Sequence, residues 1–131
     1  MEVLSKKEGK EFIFQYDGVN DHFARVAQYC ANTSILFDKS AGTGIVPDKW
    51  PYPEPWIHCG YAGGLGPQNF TEEVKKILTV ANGSEWNKNR NFWVDMERNV
   101  RTLDDSKLDM KAVRNVLKQA SRIIPEFVIS R

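Results

Sequence analysis

The sequence predicts an α/β fold built on four parallel strands, and three observations support this prediction. Short apolar runs alternate with helix-periodic segments in the order β-α-β-loop-β-α-β-α, which is typical of parallel sheets with right-handed crossovers. The run Ser34-Ile35-Leu36-Phe37-Asp38 lacks polar alternation, which indicates a strand buried on both faces. A glycine turn at Gly63 and Gly64 joins an apolar run directly to a helical segment, as in a βα unit.

Length, charge and cysteine usage indicate one domain of a cytoplasmic type. The chain has 131 residues, of which 41% are hydrophobic, so we expect a single domain over residues 1–131. The formal net charge of +1 argues against a nucleic-acid partner. No apolar run approaches the roughly 18 to 20 residues that span a bilayer, and no signal-peptide core is present. Cys30 and Cys59 lack a paired-ligand spacing, which favours reduced thiols.

The first half of the chain is predicted to hold two strands. Aromatic and β-branched residues make Glu11 to Tyr16 the first strand. Asn20 or Asp21 can cap a following helix, whose apolar positions are Phe23, Val26, Ala27 and Cys30. Ser34 to Asp38 is the second strand. Four prolines in the connection from Lys39 to Pro55 leave room for at most one helical turn.

The third strand, Trp56 to Tyr61, is predicted to lead into a helix. Gly66 suits the N-cap, Pro67 suits the first helical position, and Gly83 marks the end. The apolar positions of this helix are Phe70, Val74, Ile77, Leu78 and Ala81.

The fourth strand is predicted over Phe92 to Met96, and a final helix follows. Asp109 can cap this helix. Its predicted buried face consists of Met110, Val113, Val116, Leu117, Ala120, Ile123 and Ile124.

The carboxyl ends of the predicted strands carry the residues suited to chemistry. Binding sites of parallel sheets lie at this edge, and here it holds Asp17, Asp38, Asp95 and the paired glycines. A strand, a tight glycine turn and a helix start expose backbone N–H groups and the positive end of a helix dipole. The turn can therefore hold an anion such as phosphate. Its alternative is a structural βα turn without a ligand.

Three motifs follow one another along the chain: Ile35-Leu36-Phe37-Asp38 with Ala41-Gly42-Thr43-Gly44, then Tyr61-Ala62-Gly63-Gly64-Leu65-Gly66-Pro67-Gln68-Asn69, then Val94-Asp95-Met96 with Val100. In order and spacing they resemble the later part of phosphoribosylanthranilate isomerase, a (β/α)8-barrel enzyme of tryptophan biosynthesis whose pattern reads LLDS…GGTG…LAGGLxPENV…VDVSSGVE. The resemblance covers about residues 11 to 120. It implies that the chain is half of a TIM barrel, with strands corresponding to the fifth through eighth.

The resemblance implies roles for two carboxylates. Asp38 falls at the family's general acid, which protonates the sugar ring oxygen as the furanose opens. Asp95 would contact substrate hydroxyls or anthranilate. The alternatives are that Asp38 caps a turn and that Asp95 forms a salt bridge to Arg98 or Arg101.

The resemblance also implies a phosphate site. Backbone amides of Gly63 and Gly64 would hold the phosphate, beside a loop containing Gly42, Thr43 and Gly44. Where the family has Ser-Ser-Gly-Val-Glu, this chain has Glu97-Arg98-Asn99-Val100-Arg101, so Asn99 replaces a glycine that approaches phosphate. Arg98 or Arg101 could grip phosphate through its side chain instead, or could be a surface charge.

Other departures concern catalysis. The family's first strand, which carries the cysteine that acts as general base, has no counterpart, and Cys59 is expected to be a small buried apolar residue. His58 is expected to be a core histidine and His22 an exposed one, so neither predicts a metal site. No cofactor is expected.

The resemblance therefore implies an aldose-to-ketose (Amadori) isomerase that acts on a phosphorylated ribosyl amine or a related phosphosugar. The open sheet edges around Phe14 and Val94 would be completed by a second copy or by a separate N-terminal half-barrel. The alternative is a non-catalytic phosphosugar-binding module or a truncated relic. A nucleotide-binding domain is disfavoured because the stretch Gly64 to Asn69 departs from G-x-G-x-x-G at its last position.

Overall fold

The described residues form an α/β fold with an all-parallel sheet, as predicted. The computed structural model describes residues 9–18, 22, 25, 29–30, 32–40, 42–83 and 91–123. The four strands are β1 (Phe12–Tyr16), β2 (Thr33–Asp38), β3 (His58–Ala62) and β4 (Phe92–Asp95), and they lie side by side in chain order. The helix predicted between Asn20 and Cys30 lies largely outside the described residues. Among those that are described, no helix is long and apolar enough to cross a bilayer.

Two α-helices and one short 3-10 helix are described after β3. Helix α1 (Phe70–Ala81) follows the glycine turn, the 3-10 helix (Arg98–Val100) follows β4, and α2 (Met110–Ile123) follows the 3-10 helix. Strand register places Ile35 beside Cys59 and Phe37 beside Tyr61. These side chains pack with Ile77 and Leu65 in the core between the sheet and α1, where Cys59 is buried as predicted.

The start of α1 differs from the prediction. Gly66 and Pro67 do not begin the helix, because the N–H groups of Asn69 and Phe70 both bond to the Gly66 carbonyl and place residues 66–69 in a turn. Asn69 is the N-cap residue, but its side chain does not cap α1. The Gln119 side chain of α2 instead accepts the N–H of Thr71 at 3.1 Å. Tertiary packing supplies this cap, so local sequence could not show it.

Helix α2 confirms its predicted cap and corrects its predicted face. Asp109 Oδ1 accepts the N–H groups of the second and third residues of the helix. Val116 and Ala120 are buried against α1, whereas Met110 is 66% exposed and Leu117 is 52% exposed. Because α2 contacts α1 and the 3-10 helix along one narrow stripe, only the residues at the centre of the apolar arc are covered. Ile124 lies outside the described residues.

Alternate strand positions face away from α1, and His58 is among them. The expectation of a core histidine was wrong: His58 is exposed, because it is offset by one residue from buried Cys59 and so points to the opposite face. Its ring lies 4.7 Å from that of Trp93, which is on the same face. The Trp93 indole lies over Gly60, where an added Cβ would fall 2.1 Å from a ring atom.

We expect Gly60→Ala to destabilise the protein by about 1 to 3 kcal/mol, since the new methyl group must displace the Trp93 indole. In a Trp93→Ala background the same change should be neutral or stabilising, because alanine is preferred to glycine within a strand. Urea unfolding of the four proteins of this cycle measures the difference. An equal loss in both backgrounds would show that the indole does not occupy this position.

Candidate functional site

A cleft of about 130 Å³ lies at the carboxyl edge of the sheet, where the loops after β2, β3 and β4 meet. Most of the residues predicted for the site line it: Asp38, Gly42, Gly44, Gly63, Gly64, Asp95, Arg98 and Asn99. Thr43 does not line the cleft, and its hydroxyl donates to the Ser40 carbonyl at 2.7 Å. The structure thus brings together residues that are up to 61 positions apart in sequence, from Asp38 to Asn99.

Asp38 organises the turn that follows β2. Its Oδ1 accepts both the backbone N–H of Ser40 at 3.0 Å and the Ser40 hydroxyl at 2.6 Å. Its Oδ2 accepts the side-chain amide of Gln15 on β1 at 2.9 Å. Asp38 therefore has the turn-capping role considered as its alternative. These three hydrogen bonds occupy both carboxylate oxygens, whereas a general acid must direct one of its oxygens to the ligand when it acts.

The loop after β2 passes close to the loop after β3 at Gly64. Its φ of 65° lies in the left-handed region, and an added Cβ would fall 2.6 Å from the nitrogen of Val46 and 2.8 Å from the carbonyl oxygen of Gly44. Any side chain at this position would overlap backbone, which cannot swing aside. The glycine is therefore required by the packing of the loop after β2 over the loop after β3.

Two asparagine side chains hold the Gly64 carbonyl. Asn69 Nδ2 donates to it at 2.9 Å, and Asn99 Nδ2 donates to it at 2.8 Å. Asn69 also accepts the N–H of Gly66 through its Oδ1, at 2.9 Å. Sequence reasoning missed Asn69, although an asparagine three residues after Gly66 has the spacing of a side chain that bonds to a preceding turn.

The two candidate arginines differ in position. Arg98 lines the cleft, and its Cδ would lie 3.1 Å from a Cβ added at Gly44. Arg101 is absent from this lining and instead forms an ion pair with Asp105 at 2.5 Å. Within the described residues, Asp95 forms no ion pair with either arginine, so its salt-bridge alternative is not observed. Of the two cations, Arg98 is the one that lines the cleft.

Carboxylates dominate the charge of the cleft. Among the residues that the structure describes, four carboxylates and one guanidinium, that of Arg98, line the cleft; the carboxylates belong to Asp38, Asp95, Glu97 and Asp105. Glu97 and Asp105 were not predicted, because only the folding of residues 97–105 against the cleft brings them there. No group of three His, Cys, Asp or Glu side chains arranged to hold a metal ion occurs in the described part of the chain. An anionic ligand must therefore rely on Arg98 and backbone N–H groups.

Comparison with known proteins adds no relative. No family model matches the chain, and no curated protein and no solved structure is significantly similar to it. The likeness to phosphoribosylanthranilate isomerase therefore rests on the sequence motifs, and any activity that this likeness implies is a proposal.

We expect Gly64→Ala to destabilise the protein more than Gly42→Ala, although both glycines have left-handed backbone. Gly42 has open space around its Cβ position, so its loss should be only the conformational strain of about 1 to 2 kcal/mol. Gly64→Ala adds the overlap with Val46 and should exceed this by at least about 1 kcal/mol. Urea midpoints of the two variants provide the measurement. Equal losses would mean that the two loops do not cross as described.

Proposed function

We propose that this chain is half of a (β/α)8 barrel of the phosphoribosylanthranilate isomerase kind. It binds a phosphorylated ribosyl amine in the cleft at the carboxyl edge and catalyses its aldose-to-ketose isomerisation when a second half-barrel completes the sheet. In this proposal Asp38 is the proton donor, Asp95 contacts the sugar or its amine substituent, and the ligand phosphate lies between Gly64 and Arg98. A second copy or a complementary N-terminal half supplies the remaining strands.

One observation carries the phosphate part of the proposal. The loop after β3 and the short helix after β4 form two walls of the same cleft. Phosphate sites of TIM barrels are commonly built from the loops after the last two strands and the start of a short extra helix. The parallel sheet in chain order, with open edges at β1 and β4, is compatible with half of such a barrel.

A second candidate, phosphosugar binding without catalysis, is favoured by two observations. Ser40 and Gln15 donate hydrogen bonds to both carboxylate oxygens of Asp38, which leaves neither oxygen directed only at a ligand. Cys59, a residue type able to act as a base, is buried on the side of the sheet that faces α1, so it does not line the cleft. Both candidates share the phosphate site, and they differ in whether a completed barrel turns over substrate.

Ligand binding tests the shared part of the two candidates. We expect the chain to bind ribose 5-phosphate and not ribose, measured by isothermal titration calorimetry. Arg98→Gln should weaken binding, and Glu97→Gln should strengthen it, each about two- to fivefold, because one charge near a solvent-exposed phosphate contributes about 0.5 to 1 kcal/mol.

Arg122→Gln is the matched control for loss of a cation, since Arg122 is exposed on α2 and does not line the cleft. It should leave the affinity unchanged. Equal binding of ribose and ribose 5-phosphate would contradict the phosphate site, as would an Arg122→Gln effect as large as that of Arg98→Gln.

Assembly and turnover test barrel completion and catalysis. We expect chains of 15.0 kDa to assemble as dimers in light scattering. The assembled protein should isomerise N-(5-phosphoribosyl)anthranilate, followed by the fluorescence of the anthranilate group. Asp38→Asn should preserve assembly and reduce turnover at least about 100-fold, because proton transfer contributes that much to such reactions.

A folded, cooperative monomer would exclude completion by a second copy; turnover on addition of a separate N-terminal half-barrel would then establish the other partner. Binding without turnover in a completed assembly would establish the non-catalytic candidate.

A further inference from the structure

We propose that Asn69 and Asn99 are positioning residues that hold the peptide between Gly64 and Leu65, so that its N–H is presented to a phosphoryl oxygen in the cleft. The inference rests on the proposed function and specifies how the phosphate site is built. It assigns Asn99 to the protein backbone rather than to the ligand, and it adds Asn69 to the site.

The hydrogen bonds fix one end of this peptide. Both side-chain amides donate to the same carbonyl oxygen, at 2.9 Å from Asn69 and 2.8 Å from Asn99. A carbonyl oxygen has two lone pairs, so the two donors use its full capacity. The asparagines come from different elements: Asn69 precedes α1, and Asn99 lies in the 3-10 helix. Rotation of the peptide would break both bonds together.

The other end of the peptide is directed away from the two asparagines. The bond is trans, so the N–H of Leu65 points away from the carbonyl and from both asparagines. The Leu65 side chain is 2% exposed and packs in the core, so Leu65 contributes backbone to the lining of the cleft. The N–H groups of Gly64 and Leu65 find no acceptor among the described residues. A phosphoryl oxygen in the cleft would satisfy this unmet donor capacity.

The absence of a side chain at Gly66 allows Asn99 to approach the Gly64 carbonyl. A Cβ added at Gly66 would lie 2.5 Å from the Cβ of Asn99, so the 3-10 helix can approach the loop only because residue 66 has no side chain. Asn69 accepts the Gly66 N–H and thereby fixes the loop on both sides of Leu65. The replacement of the resembled family's glycine by Asn99 therefore supplies a second donor to Gly64.

The test compares Asn99→Ala with wild type by nitrogen–proton NMR during titration with ribose 5-phosphate. In wild type, the amide signals of Gly64 and Leu65 should move on titration. Asn99→Ala should bind about fivefold more weakly, the value of one hydrogen bond, and its Leu65 signal should already differ before ligand is added. Asn99→Gly, which restores the resembled family's residue but removes the amide, should behave like Asn99→Ala.

Asn82→Ala is the matched control, because Asn82 is an exposed asparagine at the end of α1 that does not line the cleft. It should bind as wild type does. Asn99 is exposed, so its replacement removes no core packing, and circular dichroism with a urea midpoint verifies the fold before titration.

The outcomes separate this inference from the proposed function. If wild type shows no response to ribose 5-phosphate, the phosphate site itself is absent. This result contradicts the proposed function and also the positioning role that rests on it. If wild type binds, and Asn99→Ala binds equally tightly with an unchanged Leu65 signal, the positioning role is overturned while the proposed function stands. Wild-type affinity in Asn99→Gly but not in Asn99→Ala would also overturn it, because backbone approach would then matter rather than the amide.

Discussion

The close crossing of backbone at Gly64 is the constraint on which the carboxyl edge of the sheet depends. The loop after β2 passes over this residue so closely that a Cβ would overlap Val46, and the 3-10 helix after β4 bonds to its carbonyl through Asn99. Three segments separated in sequence thus meet at one peptide. Contact between backbone segments sets the shape of the cleft, and the charged side chains around that backbone set its electrostatic character.

The segment from Lys39 to Ile57, which crosses Gly64, is anchored at both ends. Asp38 fixes its start by capping the turn at Ser40. Its later part is held by Glu73 of α1, which accepts the Trp50 indole at 2.8 Å, and by the Tyr61 hydroxyl, which donates to the Pro51 carbonyl at 3.0 Å. Burial raises the pKa of the Tyr61 phenol, so it remains a donor. These anchors bring Gly44 and Val46 onto Gly64.

The sequence predicted the strands closely because their apolar runs are local signals, and the paired glycines marked the βα turn. It misplaced His58, because the direction of a strand residue depends on register, and a shift of one position reverses the face. It overestimated the buried arc of α2, because the exposure of Leu117 depends on what the helix packs against. Glu97 was missed at the site for a similar reason, because it lines the cleft only where separate loops meet, whereas Asn69 bonds within its own loop and has a local spacing that could have indicated its role.

On the proposed function, binding and catalysis place different demands on this chain. A phosphate would need donors, and Arg98 and the N–H groups around Gly64 are the candidates among the described residues. Isomerisation also needs a base, and Cys59 is separated from the cleft by its position between the sheet and α1. It further requires Asp38 to donate a proton, although both of its oxygens now accept hydrogen bonds from Gln15 and Ser40. On the proposed function, completing the sheet must therefore also provide a base, either a carboxylate of the cleft or a side chain of the second half-barrel, and it must change the contacts of Asp38.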